Sequence, residues 1–305
     1  MLCIQTLRWY ELSDASCIVD DKGPLCIPFI TGLLEKHSPQ HGVRPFMIGL
    51  NGVQGVGKTT LVKALAETLT KLGYTTLVFS IDDLYLKHED QVALAGSHPD
   101  NLLVQQRGEP GTHDMLLAQT FFDSIISGKP TKVPSYDKAA FSGQGDRLPE
   151  SQWAEVNSLD KPKVQVVIFE GWCVGFRALP DAEVEARWKA PSRTLKRHKL
   201  EHLLLVNERL KGYDIITDLL DAFIHIDAED TQYVYGWRLQ QEAALRRERG
   251  AGMTDEQVVK FVDGYYPAYE LFSDNVRKGI LPNSPGHQMR LVVAEDRRVK
   301  EHLVI

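Results

Sequence analysis

The stretch from Phe46 to Leu61, FMIGLNGVQGVGKTTL, constrains this chain more than any other part of it. Gly52, four further residues and then Gly57-Lys58-Thr59 complete the phosphate-loop pattern of glycine, four of any type, glycine, lysine and a hydroxyl residue. Glycines let the backbone curl until successive N–H groups face one phosphate chain. The run Gly52, Val53, Gln54, Gly55, Val56, Gly57, Lys58, Thr59 and Thr60 is therefore expected to line a nucleotide. Lys58 supplies a point charge to the β- and γ-phosphates, and Thr59 offers a hydroxyl to Mg²⁺. The following helix starts at the phosphates and aims its positive end at them. The flanks agree with this reading. Phe46, Met47, Ile48 and Leu50 form an apolar run suited to a buried strand, and Leu61, Val62, Leu65, Leu69 and Leu72 recur at helical spacing.

Composition narrows the partners. With 35 basic and 41 acidic residues the net charge is −6, which gives no global attraction to nucleic acid or to an anionic membrane. Small molecules, ATP first among them, are the expected partners. Cys3, Cys17, Cys26 and Cys173 fall at no metal-ligand spacing and read as reduced thiols. The start of the sequence lacks a basic segment followed by an apolar core, and its acids Glu11, Asp14, Asp20 and Asp21 argue against a transit peptide. No apolar run approaches the ~20 residues that span a bilayer. The cytoplasm is the expected location.

Taken in order, residues 1–44 read as an N-terminal extension packed on the core, helical near Ile27 to Lys36. Residues 45–305 read as one domain. Tyr74 to Ser80 is rich in β-formers and ends at Asp82 and Asp83. In an open parallel sheet, ligands lie outside the carboxyl ends of the strands, so these carboxylates should sit beside the phosphates. A loop-rich region runs from Lys87 to Gly111, after which Thr112 is expected to cap a helix carrying Leu117, Phe121 and Ile125. Lys132 to Arg147 reads as an excursion over the active face. Val164 to Phe169 is a strand buried on both sides, and it delivers Glu170 to the place where an acid holds Mg²⁺ directly or through water. A helix is expected from about Thr194 to Leu210, a strand over Ala222 to Ile226, and a helix from Thr231 to about Arg249. Thr254 and Gln257 form a capping box for the next helix, and Met289 to Ala294 gives a further strand. The result is an α/β, three-layer, doubly wound and mainly parallel sheet of about five strands. Residues 231–265 would form a helical lid, from which Arg238 would reach the nucleotide.

Phosphoryl transfer asks for charge neutralisation, in-line positioning and a group that takes the acceptor's hydroxyl proton. Lys58 and the loop amides suit the first task, Thr59 and Glu170 suit Mg²⁺, and Asp82 is placed to take the proton or to act as an outer ligand of the magnesium. The combination of GxxGxGKTT, SIDDLY, RGEPGTHD, VPSYDKAAFSGQGDR, FEGW, WRLQQE, AGMTDEQV and YYPAY resembles the D-glycerate 3-kinase family, over about residues 45–295. That family groups with pantothenate kinase, uridine kinase and phosphoribulokinase. The resemblance implies ATP and Mg²⁺ as cofactors and D-glycerate as the acceptor, phosphorylated on its 3-hydroxyl. It implies Asp82 as base and Glu170 as the magnesium-associated acid. Asp83 stands where relatives often have a small residue, so the division of labour between the two aspartates is open. The shared motifs also supply Arg107, His113, Tyr136, Lys138 and Arg147 as acceptor-binding residues, with the three cations expected to grip a carboxylate.

Two other classes fit less well. A switch GTPase needs a base-reading Asn-Lys-x-Asp and, after the phosphate loop, a DxxG turn, and the sequence has neither there. A nucleic-acid-dependent ATPase needs a basic stripe with aromatic interleaving, which is also missing.

Overall fold

The computed structural model describes residues 21–37, 44–250 and 252–305. Cys3, Cys17, Glu11, Asp14, Asp20 and most of the connection before β1 lie outside the described residues.

The first helix, α1 (Gly23–His37), packs against α2 (Lys58–Lys71), which follows β1 (Phe46–Gly52) and the phosphate loop. Next come β2 (Thr76–Ser80), α3 (His88–Ser97) and α4 (Met115–Ile126). Four short strands make up an excursion from the sheet: β3 (Thr131–Val133), β4 (Tyr136–Asp137), β5 (Asp146–Arg147) and β6 (Ala154–Val156). They pair as β3 with β6 and β4 with β5. The chain then runs through β7 (Val166–Gly171), α5 (Asp181–Lys189), α6 (Leu200–Leu210), α7 (Asp214–Thr217) and β8 (Ala222–Ala228). It closes with α8 (Tyr233–Arg249), α9 (Asp255–Asp263), α10 (Tyr266–Lys278), β9 (Gln288–Val293) and β10 (Val299–Val304).

The main sheet has the order β10-β9-β8-β1-β7-β2, parallel throughout except that β10 runs antiparallel to β9. Every residue of β1 and of β8 is buried, which requires cover on both faces of the sheet. The rings of Phe121 and Phe122 on α4 pack on Phe79 and Phe169, while α2 packs on β1, β2 and β7. Because β2 and β7 lie on one side of β1 and β8 and β9 on the other, the phosphate loop leaves the sheet where the strand order reverses. Open α/β sheets bind ligands at such a point.

Three expectations need correction. The sheet has six strands rather than about five. The extra strand, VKEHLV, is an exposed edge with no apolar face for periodicity to detect. The helix expected to start at Thr112 starts at Met115 and is capped by Asp114, whose Oδ1 accepts from Leu117 N at 2.9 Å. Thr112 is occupied elsewhere: its hydroxyl donates to Glu109 O (2.8 Å) and accepts from Gly108 N (2.9 Å), closing the RGEPG turn. The helix expected from Thr194 starts at Leu200, after one 3₁₀ turn over Leu195–Arg197, because Thr194 binds Glu270 through both its amide and its hydroxyl. The capping box at Thr254 and Gln257 forms as expected, with both reciprocal bonds made.

Candidate active site

The loop after β1 takes the shape its glycines permit. Gly55 and Gly57 have φ of 82° and 99°, and Gly57 is the N-cap of α2 with no side chain capping the exposed amides. A Cβ on Gly55 would lie 2.7 Å from Cβ of Trp237, so α8 fixes the loop from outside. Arg297, in the turn between β9 and β10, donates to Gly55 O (2.7 Å) and lies over the Trp237 ring at 5.3 Å. Gln54 N donates to the hydroxyl of Tyr269 on α10 at 3.3 Å. Lys58 Nζ curls back to Gly52 O (2.7 Å) and Val53 O (3.2 Å). Burial pulls its pKa down, against the opposing charges of Glu170 and Asp82.

Those two acids come from neighbouring strands. Ser80 and Glu170 are register partners at the ends of β2 and β7. Burial raises the Glu170 carboxyl, and the Lys58 ammonium resists that rise. Asp82 and Asp83 sit on a 3₁₀ turn, Ile81–Leu84, capped by Ser80, whose hydroxyl accepts from Asp82 N at 3.3 Å. Lys138 Nζ lies 2.5 Å from Asp82 Oδ2. Burial works to raise the Asp82 carboxyl, but the charge and hydrogen bond of Lys138 outweigh it and hold it below the usual range. Asp83 differs. Burial and then the charge of Asp82 push it up to about 7, and its Oδ1 accepts from Tyr136 N at 3.2 Å. One aspartate thus stays ionised beside a lysine, and the other fastens the β4–β5 ribbon to the sheet.

The remaining residues singled out in the sequence gather around that ribbon. Arg107 donates to the carbonyls of Gly143 (2.8 Å), Gln144 and Lys138 (3.3 Å) and lies over the Tyr136 ring. Arg147 is nearly buried, pairs with Asp114 at 3.0 Å and donates to Tyr85 O at 2.9 Å. Both spend these donors on holding the excursion in place. Losing a nearly buried pair leaves its partner uncompensated. Arg147→Met is expected to cost roughly 2–3 kcal/mol of stability, measurable by denaturant unfolding at neutral pH. His113 stacks on Tyr85, and its Nδ1 lies 2.6 Å from the Tyr213 hydroxyl. Burial drives its pKa down to about 4, so it is neutral at pH 7. Arg238 pairs with Glu242 at 2.8 Å and lies over the Phe261 ring, a bond within α8 and a contact with α9.

Several contributors carry no signal in the sequence. Glu109 is 3% exposed although it lies in a turn between glycines. Trp172, Tyr265 and Tyr269 form one aromatic cluster, with Trp172 5.0 Å and 5.4 Å from the other two rings. Gly108 has φ 147°, and a Cβ there would meet the Tyr265 ring at 2.7 Å.

No established family profile matches the chain. Individual proteins do. An uncharacterized kinase, mug58, of Schizosaccharomyces pombe is 39% identical, over 88% of this chain and 94% of that protein. A chloroplastic D-glycerate 3-kinase of Arabidopsis thaliana is 36% identical over 96% of this chain, which spans 64% of that protein's length. Among solved structures, a D-glycerate 3-kinase from Cryptococcus neoformans superposes with a TM-score of 0.83 at 33% identity, covering 92% of this chain and 98% of that one. Similarity of this extent, on a sheet that places a phosphate loop at its switch point, shows that the chain belongs to the D-glycerate 3-kinase family and is a small-molecule kinase.

Proposed function

We propose that the protein transfers the γ-phosphoryl group of ATP to a hydroxyl of a small hydroxy acid, with D-glycerate as acceptor and 3-phosphoglycerate as product. The observation that carries this reading is the Asp82 carboxylate. It is held ionised by Lys138, at the carboxyl end of β2, beside a helix N-terminus that no side chain caps. In this reading the amides from Gly52 to Thr60 and the Lys58 ammonium hold the phosphates, and Asp82 takes the proton of the attacking hydroxyl. Asp83 keeps the β4–β5 ribbon over the site. The Thr59 hydroxyl and the Glu170 carboxylate are hard oxygen donors of the kind Mg²⁺ takes. Magnesium, when bound, would neutralise charge on the β- and γ-phosphates. Residues 45–305 act as the kinase domain, with residues 231–265 as lid and residues 1–44 as an extension. No described helix is long and apolar enough to cross a membrane, and the cytoplasm is the compartment this reading assigns.

A coupled ADP-release assay over D-glycerate, glycerol, uridine and pantothenate tests the proposal. D-Glycerate should release ADP in proportion to phosphorylated product. Glycerol, which lacks the carboxylate, should be poorer by at least ~10²-fold. Equal turnover with glycerol or uridine would remove the acceptor assignment and leave the kinase. Slow hydrolysis indifferent to any acceptor would remove the transfer itself.

A further inference from the structure

Glu109 is a carboxyl in the wrong place for a loop residue. It is 3% exposed, and neither of its oxygens has a hydrogen-bond partner among the described residues. An unpaired carboxylate cannot remain ionised in such surroundings, and burial raises this one well above the usual range, so it is a neutral acid. The turn that carries it is flanked by tyrosines: a Cβ on Gly108 would meet the Tyr265 ring at 2.7 Å, and Gly111 N donates to the Tyr213 hydroxyl at 2.9 Å.

Two more buried polar nitrogens stand without a partner among the described residues in the same region. Trp172, packed on Tyr265 and Tyr269, has no acceptor for its indole N–H. His113 shares a hydrogen bond of 2.6 Å with the Tyr213 hydroxyl through Nδ1 and has no partner for Nε2. Buried polar groups are almost always paired; Trp172 stands among Tyr265 and Tyr269 and His113 among Tyr85 and Tyr213, and the turn that carries Glu109 touches both ring groups, through Gly108 under Tyr265 and Gly111 N on the Tyr213 hydroxyl, so the unpaired groups mark a place where ligand atoms complete the bonding.

We propose that Glu109 sets acceptor specificity: with the indole N–H of Trp172 and Nε2 of His113, it receives the non-reacting polar end of the acceptor. This rests on the hydroxy-acid reading given above. A neutral acid donates to a carboxylate and accepts from a hydroxyl, and a 2-hydroxy acid presents both side by side. Arg107 donates to main-chain carbonyls, and Arg147 pairs with Asp114 and donates to Tyr85 O, with its buried Nε left unpaired among the described residues.

Two measurements on the full chain test this. The first compares D-glycerate with 3-hydroxypropionate, which keeps the reacting hydroxyl and the carboxylate but lacks the 2-hydroxyl. Wild type should prefer D-glycerate by ~10²-fold or more in kcat/KM, and Glu109→Leu, which removes both the donor and the acceptor, should bring that ratio below ~10 while the KM for ATP stays within about twofold. A ratio unchanged in Glu109→Leu overturns the assignment. The second is independent of the acceptor. In the unfolded chain Glu109 ionises near ~4.3, whereas in the fold it stays protonated, so above that pH it costs stability increasingly as pH rises. Glu109→Leu should therefore melt about 3 °C or more above wild type at pH 8, with the gain vanishing near pH 4. A melting point at or below that of wild type at pH 8 would mean a structural role and overturn the proposal. Wild type that phosphorylates no hydroxy acid at all defeats the acceptor reading instead, and the melting experiment tells the two failures apart.

Discussion

Lys58→Ala should leave a folded protein whose phosphoryl transfer is slower by at least ~10²-fold, because a charge aimed at the transferring group in a site closed to water is worth several kcal/mol. The structure adds a reason to expect the fold to survive. Among the described residues Lys58 Nζ bonds only to Gly52 O and Val53 O, carbonyls within six residues of it, and joins no distant elements. The same substitution removes the cation that opposes the rise of Glu170, so that carboxyl should titrate higher still. Single-turnover kinetics beside a thermal melt separate the two consequences. A stable Lys58→Ala protein with near-normal turnover would remove the chemistry assigned to the loop.

Asp82→Asn should lower transfer by about 10³-fold while nucleotide affinity changes little, as expected of a base that acts on the acceptor rather than on ATP. Asp83 provides the control. Its carboxyl is raised first by burial and then by the charge of Asp82, so Asp82→Asn should let it titrate lower. Asp83→Asn retains an oxygen that can accept from Tyr136 N and should keep most of the activity. The reverse pattern, with Asp83→Asn inactive and Asp82→Asn active, would exchange the two roles. The pH profile carries a sign as well. A base must be ionised, and Lys138 holds Asp82 below the usual carboxylate range, so activity should persist as pH falls through that range.

The parts legible in the sequence were those fixed by neighbours along the chain. The phosphate loop, the strand ending at Asp82, the strand ending at Glu170 and the capping box at Thr254 all follow from short-range spacing, and each lies where it was expected. What escaped depends on distant partners. Thr112 has the right chemistry for a cap, but the RGEPG turn claims its hydroxyl, and Asp114 takes over. That Arg107 and Arg147 brace the ribbon is equally invisible locally, because their partners Gly143 and Asp114 lie more than thirty residues away. Glu109 between Gly108 and Pro110 reads as a solvated charge, and nothing local announces that Tyr265 and Tyr213 pack against its turn at Gly108 and Gly111. The last strand was missed because it lies at the sheet edge with most side chains exposed.

The order of the central strands also bears on how the molecule is made. β1 emerges first from the ribosome, yet both of its neighbours, β7 and β8, come much later in the chain. At ~5–20 residues per second, the end of β8 follows the end of β1 by roughly 9–35 s. During that interval a strand destined for complete burial has neither ladder partner, so it is exposed to nascent-chain chaperones and to aggregation. The phosphate loop, which takes its shape from β1, α8 and the β9–β10 turn together, can bind nucleotide only after nearly the whole chain has been synthesised.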